Sequence, residues 1–251
     1  MKRIALIIIS VCMAGSLAAQ DYVEVSKNLL KAMRDKDMTE AKKYVDQIAN
    51  GNPVDFKRQI DTQEEKLAFW INTYNGLIQY ELTKNPAQFD DRGDFFGDEN
   101  ITVLGEKVSF DNLEHGVMRR NTSKYSKGYF SNPFSGDWYK QYQFEKIDWR
   151  IHFALNCGAA SCPPVRIYDD KTIYQQLNAS SKQYLDSQVK YDKEEEEVYA
   201  PKLMDWFSGD FGGSDGALKI LKKNGYIPST DVDLEFNEYD WTLKLGTFYK
   251  D

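Results

Sequence analysis

The spacing of apolar residues predicts a chain built largely of helices. In residues 22–50, apolar side chains recur at intervals of three and four in two separate runs, which predicts two helices. A longer helix is predicted over residues 62–83, where Thr62 fits the N-cap and Glu65 completes a capping box. The centre of this helix is apolar on almost every side, so we expect it to be deeply buried.

One polar stripe interrupts the apolar surface of this long helix. Asn72, Asn75 and Gln79 follow one another at spacings of three and four, so they share one helix face. Buried amides need hydrogen-bond partners. Two interpretations stay open: the amides bond the backbone of neighbouring loops, or they line a polar pocket.

The rest of the chain alternates shorter elements with loops. The pattern predicts a hairpin at 101–109, a helix at 112–120, a strand at 149–157, a helix at 171–188, a hairpin at 189–200, a helix at 214–224 and a strand within 231–245. Residues 122–147 are rich in aromatic residues and show no regular spacing of apolar positions. This is typical of a loop that is functional or wrapped over the core. Helices and strands do not alternate regularly, which favours an α+β fold.

The first 20 residues have the pattern of a secretory signal. Lys2 and Arg3 precede a mostly apolar run that ends in Ala18 and Ala19. We therefore expect an exported protein, periplasmic or extracellular, with no transmembrane anchor after signal removal. Loss of Lys2 and Arg3 takes the formal net charge from −7 to −9. An acidic chain argues against nucleic-acid binding.

No cofactor is predicted from the sequence. The glycine-rich run at residues 208–213 lacks the Lys and Ser or Thr of a phosphate-binding loop. Its Asp-Phe-Gly triplet has no accompanying kinase signature. We expect the run to form turns, and the substrate or protein partner stays unknown at this stage.

The thiol and imidazole chemistry is concentrated in and near residues 150–164. The chain has two histidines and three cysteines, and Cys12 lies in the predicted signal. If residues 149–157 form a strand, Cys157 falls on its apolar face and behaves as a small hydrophobe. Cys162 falls in the following turn, so it is the better candidate for a nucleophilic thiol.

A nucleophilic thiol requires a base, and the base requires a group that orients it. His115 and His152 are the candidate bases, and Glu114 is a candidate catalytic residue next to the first. The candidate pocket residues, three of which could also orient an imidazole, are Asn72, Asn75, Asn156 and Cys157.

Two alternatives use the same residues without catalysis. A Cys157–Cys162 disulfide would staple a binding or scaffold domain in an oxidising compartment, with residues 122–147 as its contact surface. A structural zinc site would use both cysteines with His115 and His152, although the Cys-x4-Cys spacing exceeds the commonest knuckle.

Several segments resemble the domain of unknown function 547 family over roughly residues 60–245. They are Ala68–Leu77, Leu113–Arg119, Arg150–Pro164, Trp206 with Asp210 and Phe211, and Tyr239–Leu243. The resemblance implies one mixed α and β domain found in exported bacterial proteins, with a distant relation to the papain and transglutaminase-like fold. It supplies no established activity.

The sequence therefore predicts a signal peptide at 1–20, an N-terminal helical segment at 21–60 and an α+β core domain at 61–251. The leading functional hypothesis is a thiol-dependent hydrolase or acyl transferase that uses Cys162 with His115 or His152. The stapled binding domain and the zinc domain are its rivals.

Overall fold

The computed structural model describes residues 20–133 and 136–250. The predicted signal, apart from Gln20, and Cys12 lie outside the described residues. The two helices predicted in residues 22–50 are α1, Tyr22–Arg34, and α2, Met38–Ala49. A short helix α3, Pro53–Gln59, follows them. Within the described ranges, no helix is long and apolar enough to cross a membrane.

The long helix α4, Gln63–Lys84, is the centre of the fold. The predicted capping box is confirmed: Glu65 N–H donates to Thr62 Oγ1 at 3.2 Å, and Thr62 N–H donates to Glu65 Oε2 at 2.9 Å. Helix α1 packs closely where α4 carries Gly76, because a Cβ at that position would meet Leu29 Cδ2 at 2.6 Å. The expected deep burial of α4 is also confirmed.

Short helices and a hairpin follow α4. They are α5, Arg92–Gly97, then the antiparallel strands β1, Ile101–Val103, and β2, Glu106–Val108. The helix predicted at 112–120 is a π-helix, Asn112–Met118, a form that is frequent at functional sites. Helix α6, Asp137–Lys140, is one turn long.

The C-terminal part adds a three-stranded mixed sheet flanked by helices. Its elements are α7, Ile173–Gln188, β3, Lys190–Asp192, β4, Glu197–Ala200, α8, Lys202–Trp206, α9, Gly213–Lys223, and β5, Asp233–Phe236. Strand β4 pairs antiparallel with β3 and parallel with β5. The predicted α+β class is confirmed.

The strand predicted at 149–157 is wrong. Trp149–Phe153 forms a 3-10 helix that begins where Asp148 Oδ1 accepts from Arg150 N–H at 3.1 Å. Residues 151–156 are all buried, polar ones included. Since both sides of this segment face protein, the alternation of apolar and polar residues did not separate a core face from a solvent face.

Two hydrophobic clusters meet at this 3-10 helix. The larger cluster surrounds α4 and includes Ile151, whereas the smaller one is built from α7 to α9 and includes Phe153. The strand predicted within 231–245 is only β5. After β5 the chain runs back across residues 159–165 through isolated bridges at Ala159–Leu243 and Val165–Phe248. The segment with the cysteines is therefore held between the two clusters.

Candidate active site

A cavity of about 280 Å³ is lined by side chains from both hydrophobic clusters. Its walls contain both imidazoles, both described cysteines, carboxyl groups and several aromatic rings. The lining residues that matter here are Tyr74, Arg92, Glu114, His115, Lys124, His152, Cys157, Cys162, Trp206, Phe207, Tyr239 and Trp241.

His152 is hydrogen-bonded at one ring nitrogen, and its other ring nitrogen has no hydrogen-bond partner among the described residues. Its Nε2 lies 2.8 Å from Asp210 Oδ2. Burial raises the pKa of Asp210, but hydrogen bonds from His152 and Arg119 outweigh burial and hold that pKa below its ordinary value. The ionised carboxylate can only accept, so His152 Nε2 carries the proton. His152 Nδ1 is then the basic atom, and it is buried without a hydrogen-bond partner among the described residues.

The surroundings of His152 keep its ring neutral. The Phe207 ring stacks on it, with ring centres 3.9 Å apart and planes 13° from parallel. Burial lowers the pKa of His152 to about 4, although the Asp210 carboxylate opposes the shift. At neutral pH the imidazole is therefore neutral, with Nδ1 unprotonated.

His115 is engaged at both ring nitrogens. Its Nδ1 lies 2.8 Å from Arg119 Nη1, and guanidinium nitrogens only donate, so this imidazole nitrogen accepts. Its Nε2 lies 3.6 Å from Asp111 Oδ1. Burial, with the charges of Arg119 and Lys124, lowers the pKa of His115 well below its ordinary value.

Arg119 joins the two histidine sites. It is fully buried, and its Nε donates to Asp210 Oδ2 at 2.6 Å. The chain of contacts His115–Arg119–Asp210–His152 is continuous. The guanidinium also lies 4.6 Å from the centre of the Phe207 ring. A buried charge of this kind needs its partner, and Asp210 supplies it.

Glu114 supplies a carboxyl group with an altered pKa. It lies on the π-helix with a side chain that is 14% exposed, and Tyr74 Oη donates to its Oε2 at 3.1 Å. Burial raises the pKa of Glu114 to about 7, although the Arg119 charge opposes the shift. A proton is therefore held on this carboxyl near neutral pH for a large share of the time.

The two cysteines form a disulfide that lines the cavity. Cys157 N–H donates to Cys162 Sγ at 3.0 Å. Tyr239 Oη contacts both sulfurs, at 3.2 Å for Cys162 and 3.4 Å for Cys157. Cys162 is 7% exposed, whereas Cys157 is partly exposed.

Aromatic rings and two cations form the mouth of the cavity. Trp206 and Trp241 stack with ring centres 5.6 Å apart. Arg92 lies over Trp241 at 4.9 Å, and Lys124 pairs with Asp111. The mouth offers flat apolar surface beside the Arg92 guanidinium, which suits a ligand with an apolar body and a polar or anionic end.

The structure brings together five of the residues that the sequence singled out. Glu114, His115, His152, Cys157 and Cys162 all line the cavity. Their catalytic and binding roles stay predictions.

Asn72, Asn75 and Asn156 do not line the cavity. Asn72 bonds both backbone groups of Tyr168, as donor at 2.8 Å and acceptor at 2.9 Å. Asn75 donates to Ala154 O and accepts from Asn156 N–H, both at 2.8 Å. Asn156 Nδ2 donates to Pro163 O at 2.7 Å. These amides hold the backbone that carries His152 and the disulfide.

Three residues of the site were missed as functional candidates. The sequence places Arg119, Asp210 and Tyr239 only inside the segments that resemble the family, and it predicts a turn at Asp210. Asp210 does lie in a 3-10 turn, Ser208–Phe211. The available signal was that resemblance, since no local pattern links residues so far apart in the chain.

The zinc alternative needs a group of ligands that the described ranges do not provide. No set of three or more His, Cys, Asp or Glu side chains within 20–133 and 136–250 is arranged to hold a metal ion. Both cysteines are also in the disulfide, so neither is a thiolate ligand in this state.

Comparison with known proteins places the chain in a family. A family model described as "Protein of unknown function, DUF547" matches residues 58–185. The chain belongs to the DUF547 family. No curated protein and no solved structure matches it.

The DUF547 match covers part of the site. Residues 58–185 include Glu114, both histidines and both cysteines, but end before Asp210 and Tyr239. The partner of His152 and the hydroxyl that touches the disulfide therefore come from the part of the chain beyond the match.

Proposed function

We propose that this DUF547 protein is an exported thiol-dependent hydrolase or acyl transferase, with Cys162 as nucleophile, His152 as base and Glu114 as acid. The observation that carries the proposal is a pair of opposed pKa shifts in one cavity. Burial lowers the pKa of His152 to about 4 and raises that of Glu114 to about 7. Environments that separate the pKa values of two neighbouring groups are typical of acid–base catalysis.

His152 is preferred to His115 as the base. His152 Nδ1 has no hydrogen-bond partner among the described residues, and Asp210 holds the tautomer that leaves this nitrogen basic. His115 Nδ1 already accepts from Arg119. An imidazole oriented by a carboxylate is an arrangement that many acyl-transfer enzymes share, and His152 lines the same cavity as Cys162.

Cys162 is preferred to Cys157 as the nucleophile. The backbone N–H of Cys157 and the hydroxyl of Tyr239 both point at Cys162 Sγ, at 3.0 and 3.2 Å. Hydrogen bonds of this kind stabilise a thiolate and lower the pKa of a thiol. The catalytic form requires the disulfide to be opened by a thiol reductant.

We propose the following reaction for these cavity residues. Cys162 Sγ attacks the acyl carbonyl, and the thiol proton passes to His152 Nδ1. The leaving group departs with a proton from Glu114, and an acyl thioester remains on Cys162. Water or an acceptor nucleophile then gives a proton to Glu114 as it attacks the thioester, and the proton on His152 returns to Cys162 Sγ and restores the thiol. The aromatic mouth favours acyl groups with a compact apolar body.

Export is supported by the signal pattern at residues 1–20 and by the disulfide, which is compatible with an oxidising compartment. The second candidate function is a non-catalytic binding domain. The observation that favours it is the same Cys157–Cys162 disulfide, which would act as a staple.

The decisive experiment is capture of the acyl-enzyme. The protein is reduced with dithiothreitol, mixed with p-nitrophenyl esters of increasing acyl length, quenched in acid and analysed by intact mass and peptide mapping. We expect one acyl group on Cys162, lost in Cys162→Ser and retained in Cys157→Ser, the matched control. Absence of acylation at Cys162 with every ester, in a reduced and folded protein, would favour the stapled binding domain.

A further inference from the structure

The Cys157–Cys162 disulfide is placed where small molecules can reach it. Both cysteines line the 280 Å³ cavity, together with Glu114 and Tyr239. A purely structural disulfide has no need of a cavity or of acid–base groups beside it. Its position makes the bond a reactive group of the site as well as a cross-link.

The two sulfurs are not equivalent. Cys157 is partly exposed, whereas Cys162 is 7% exposed. Cys162 Sγ receives the backbone N–H of Cys157 at 3.0 Å and lies closer to Tyr239 Oη. In thiol–disulfide exchange, attack falls on the accessible sulfur and the better-stabilised thiolate leaves. Both criteria select attack at Cys157 and departure of Cys162.

We propose that a low-molecular-weight thiol opens this disulfide by attacking Cys157, which leaves a mixed disulfide on Cys157 and releases Cys162 as a thiolate. The inference rests on the proposed function, because the released sulfur is its nucleophile.

Atoms and electrons balance in this exchange. The bond between the incoming sulfur and Cys157 Sγ forms while the Cys157–Cys162 bond breaks, and its electron pair remains on Cys162 Sγ. The proton of the incoming thiol goes to solvent. A second thiol can displace the first, which gives the free dithiol of the protein and the disulfide of the small thiol.

This assignment makes the nucleophile conditional on the thiols around the protein. In an oxidising compartment the disulfide persists, and Cys162 has no free thiol that could act as a nucleophile. Where a small thiol is supplied, one exchange step frees Cys162 while Cys157 remains capped. The mixed disulfide would then occupy part of the cavity that the disulfide now lines.

The test identifies which sulfur the thiol modifies. The folded, oxidised wild-type protein is mixed with reduced glutathione, quenched in acid at successive times, alkylated with N-ethylmaleimide and peptide-mapped under acidic conditions. We expect glutathione on Cys157 and maleimide on Cys162. Glutathione on Cys162 overturns the proposal, as does a disulfide that resists glutathione until urea is added. Dithiol with no adduct on Cys157 at any quench time also contradicts it.

A conservative variant tests the role of the hydroxyl. Tyr239→Phe keeps the ring that packs on Trp206 but removes the group that contacts Cys162 Sγ. Loss of one hydrogen bond to a developing thiolate predicts exchange about tenfold slower. The matched control is Tyr199→Phe, at a tyrosine 39% exposed on β4. Equal rates for both variants would remove Tyr239 from the exchange step.

The outcome is separate from that of the acylation experiment. Glutathione on Cys157 without any acylation of Cys162 would support the proposed exchange and contradict the proposed hydrolase or acyl transferase function. Acylation of Cys162 in dithiothreitol-reduced protein, with glutathione entering at Cys162, would do the reverse.

Discussion

Two sets of polar side chains lie within the same core. They differ in whether all of their hydrogen-bond donors and acceptors have partners. The first is the amide stripe of α4, which consists of Asn72, Asn75 and Gln79. The second is the cavity set, Glu114 and His152. His152 is as buried as the amides, whereas the Glu114 side chain is 14% exposed, so burial alone does not separate the two sets.

The amide stripe is paired mainly with backbone, and also with the side chains of Ser26 and Asn156. Asn72 and Asn75 each donate and accept once with a loop segment, and Gln79 accepts from Gly246 N–H at 2.8 Å while donating to Asn156 at 3.1 Å. These bonds fix the loop that carries the cysteines and the C-terminal segment against α4. The stripe therefore acts as a structural support.

The cavity set keeps groups that can still bind or exchange a proton. His152 has a basic nitrogen without a partner among the described residues, and Glu114 has a pKa raised by burial to about 7. Such arrangements cost stability and persist where they serve a site. The comparison teaches that unused hydrogen-bonding capacity and a shifted pKa, more than burial, separate a site from a support.

The largest effect is expected from the support. Asn75→Leu removes the partner of Ala154 O and of Asn156 N–H, both buried. Two buried backbone groups without that partner predict a loss of about 3 kcal/mol in the free energy of unfolding, measured in urea. The exposed Asn100→Leu variant is the control and should change little.

Asn75→Leu should not change the pKa of Glu114, because Asn75 does not line the cavity. A loss below about 1 kcal/mol for Asn75→Leu would mean that water replaces the amide, and the stripe would no longer be a support.

An effect of similar size and opposite sign is expected in the cavity. Folding raises the pKa of Glu114 from its ordinary value of 4.5 to about 7. Between these values the folded state keeps a proton that the unfolded state has lost, so the stability falls as the pH rises. Glu114→Gln avoids this loss. We expect it to be more stable than wild type by about 3 kcal/mol at pH 8 and equal near pH 4, in urea unfolding at each pH.

The exposed Glu99→Gln variant is the matched control and should behave alike at both pH values. A Glu114→Gln variant that is less stable than wild type at pH 8 would show that the cavity stabilises the ionised carboxylate. That result would contradict the proposed role of Glu114 as an acid.

The sequence predicts the support better than the site, for a physical reason. The capping box of α4 and the stripe at spacings of three and four are local patterns, so both could be recognised from the residues. The strand predicted at 149–157 is wrong because polar and apolar residues there are buried alike. Local alternation carries no information when solvent lies on neither side.

The site depends on contacts between distant parts of the chain. Asp210 meets His152 across 58 positions, and Tyr239 meets Cys162 across 77. No helical or strand period encodes such distances. The histidines and cysteines that line the cavity are scarce in the chain, and Glu114 is adjacent to one of them. Asp210 is one of many carboxylates in an acidic chain, and no local pattern distinguishes it.

The smallest predicted effect probes how the cavity sets the pKa of Glu114. Tyr74 Oη donates to Glu114 Oε2 at 3.1 Å and lowers the carboxyl pKa against the effect of burial. Tyr74→Phe should therefore raise the pKa of Glu114 above about 7, by less than about one unit, in a carboxyl-detected NMR titration. A lower pKa would mean that water enters the space left by the hydroxyl. The carboxyl would then be controlled by solvent, and the cavity would lose the feature that separates it from the amide stripe.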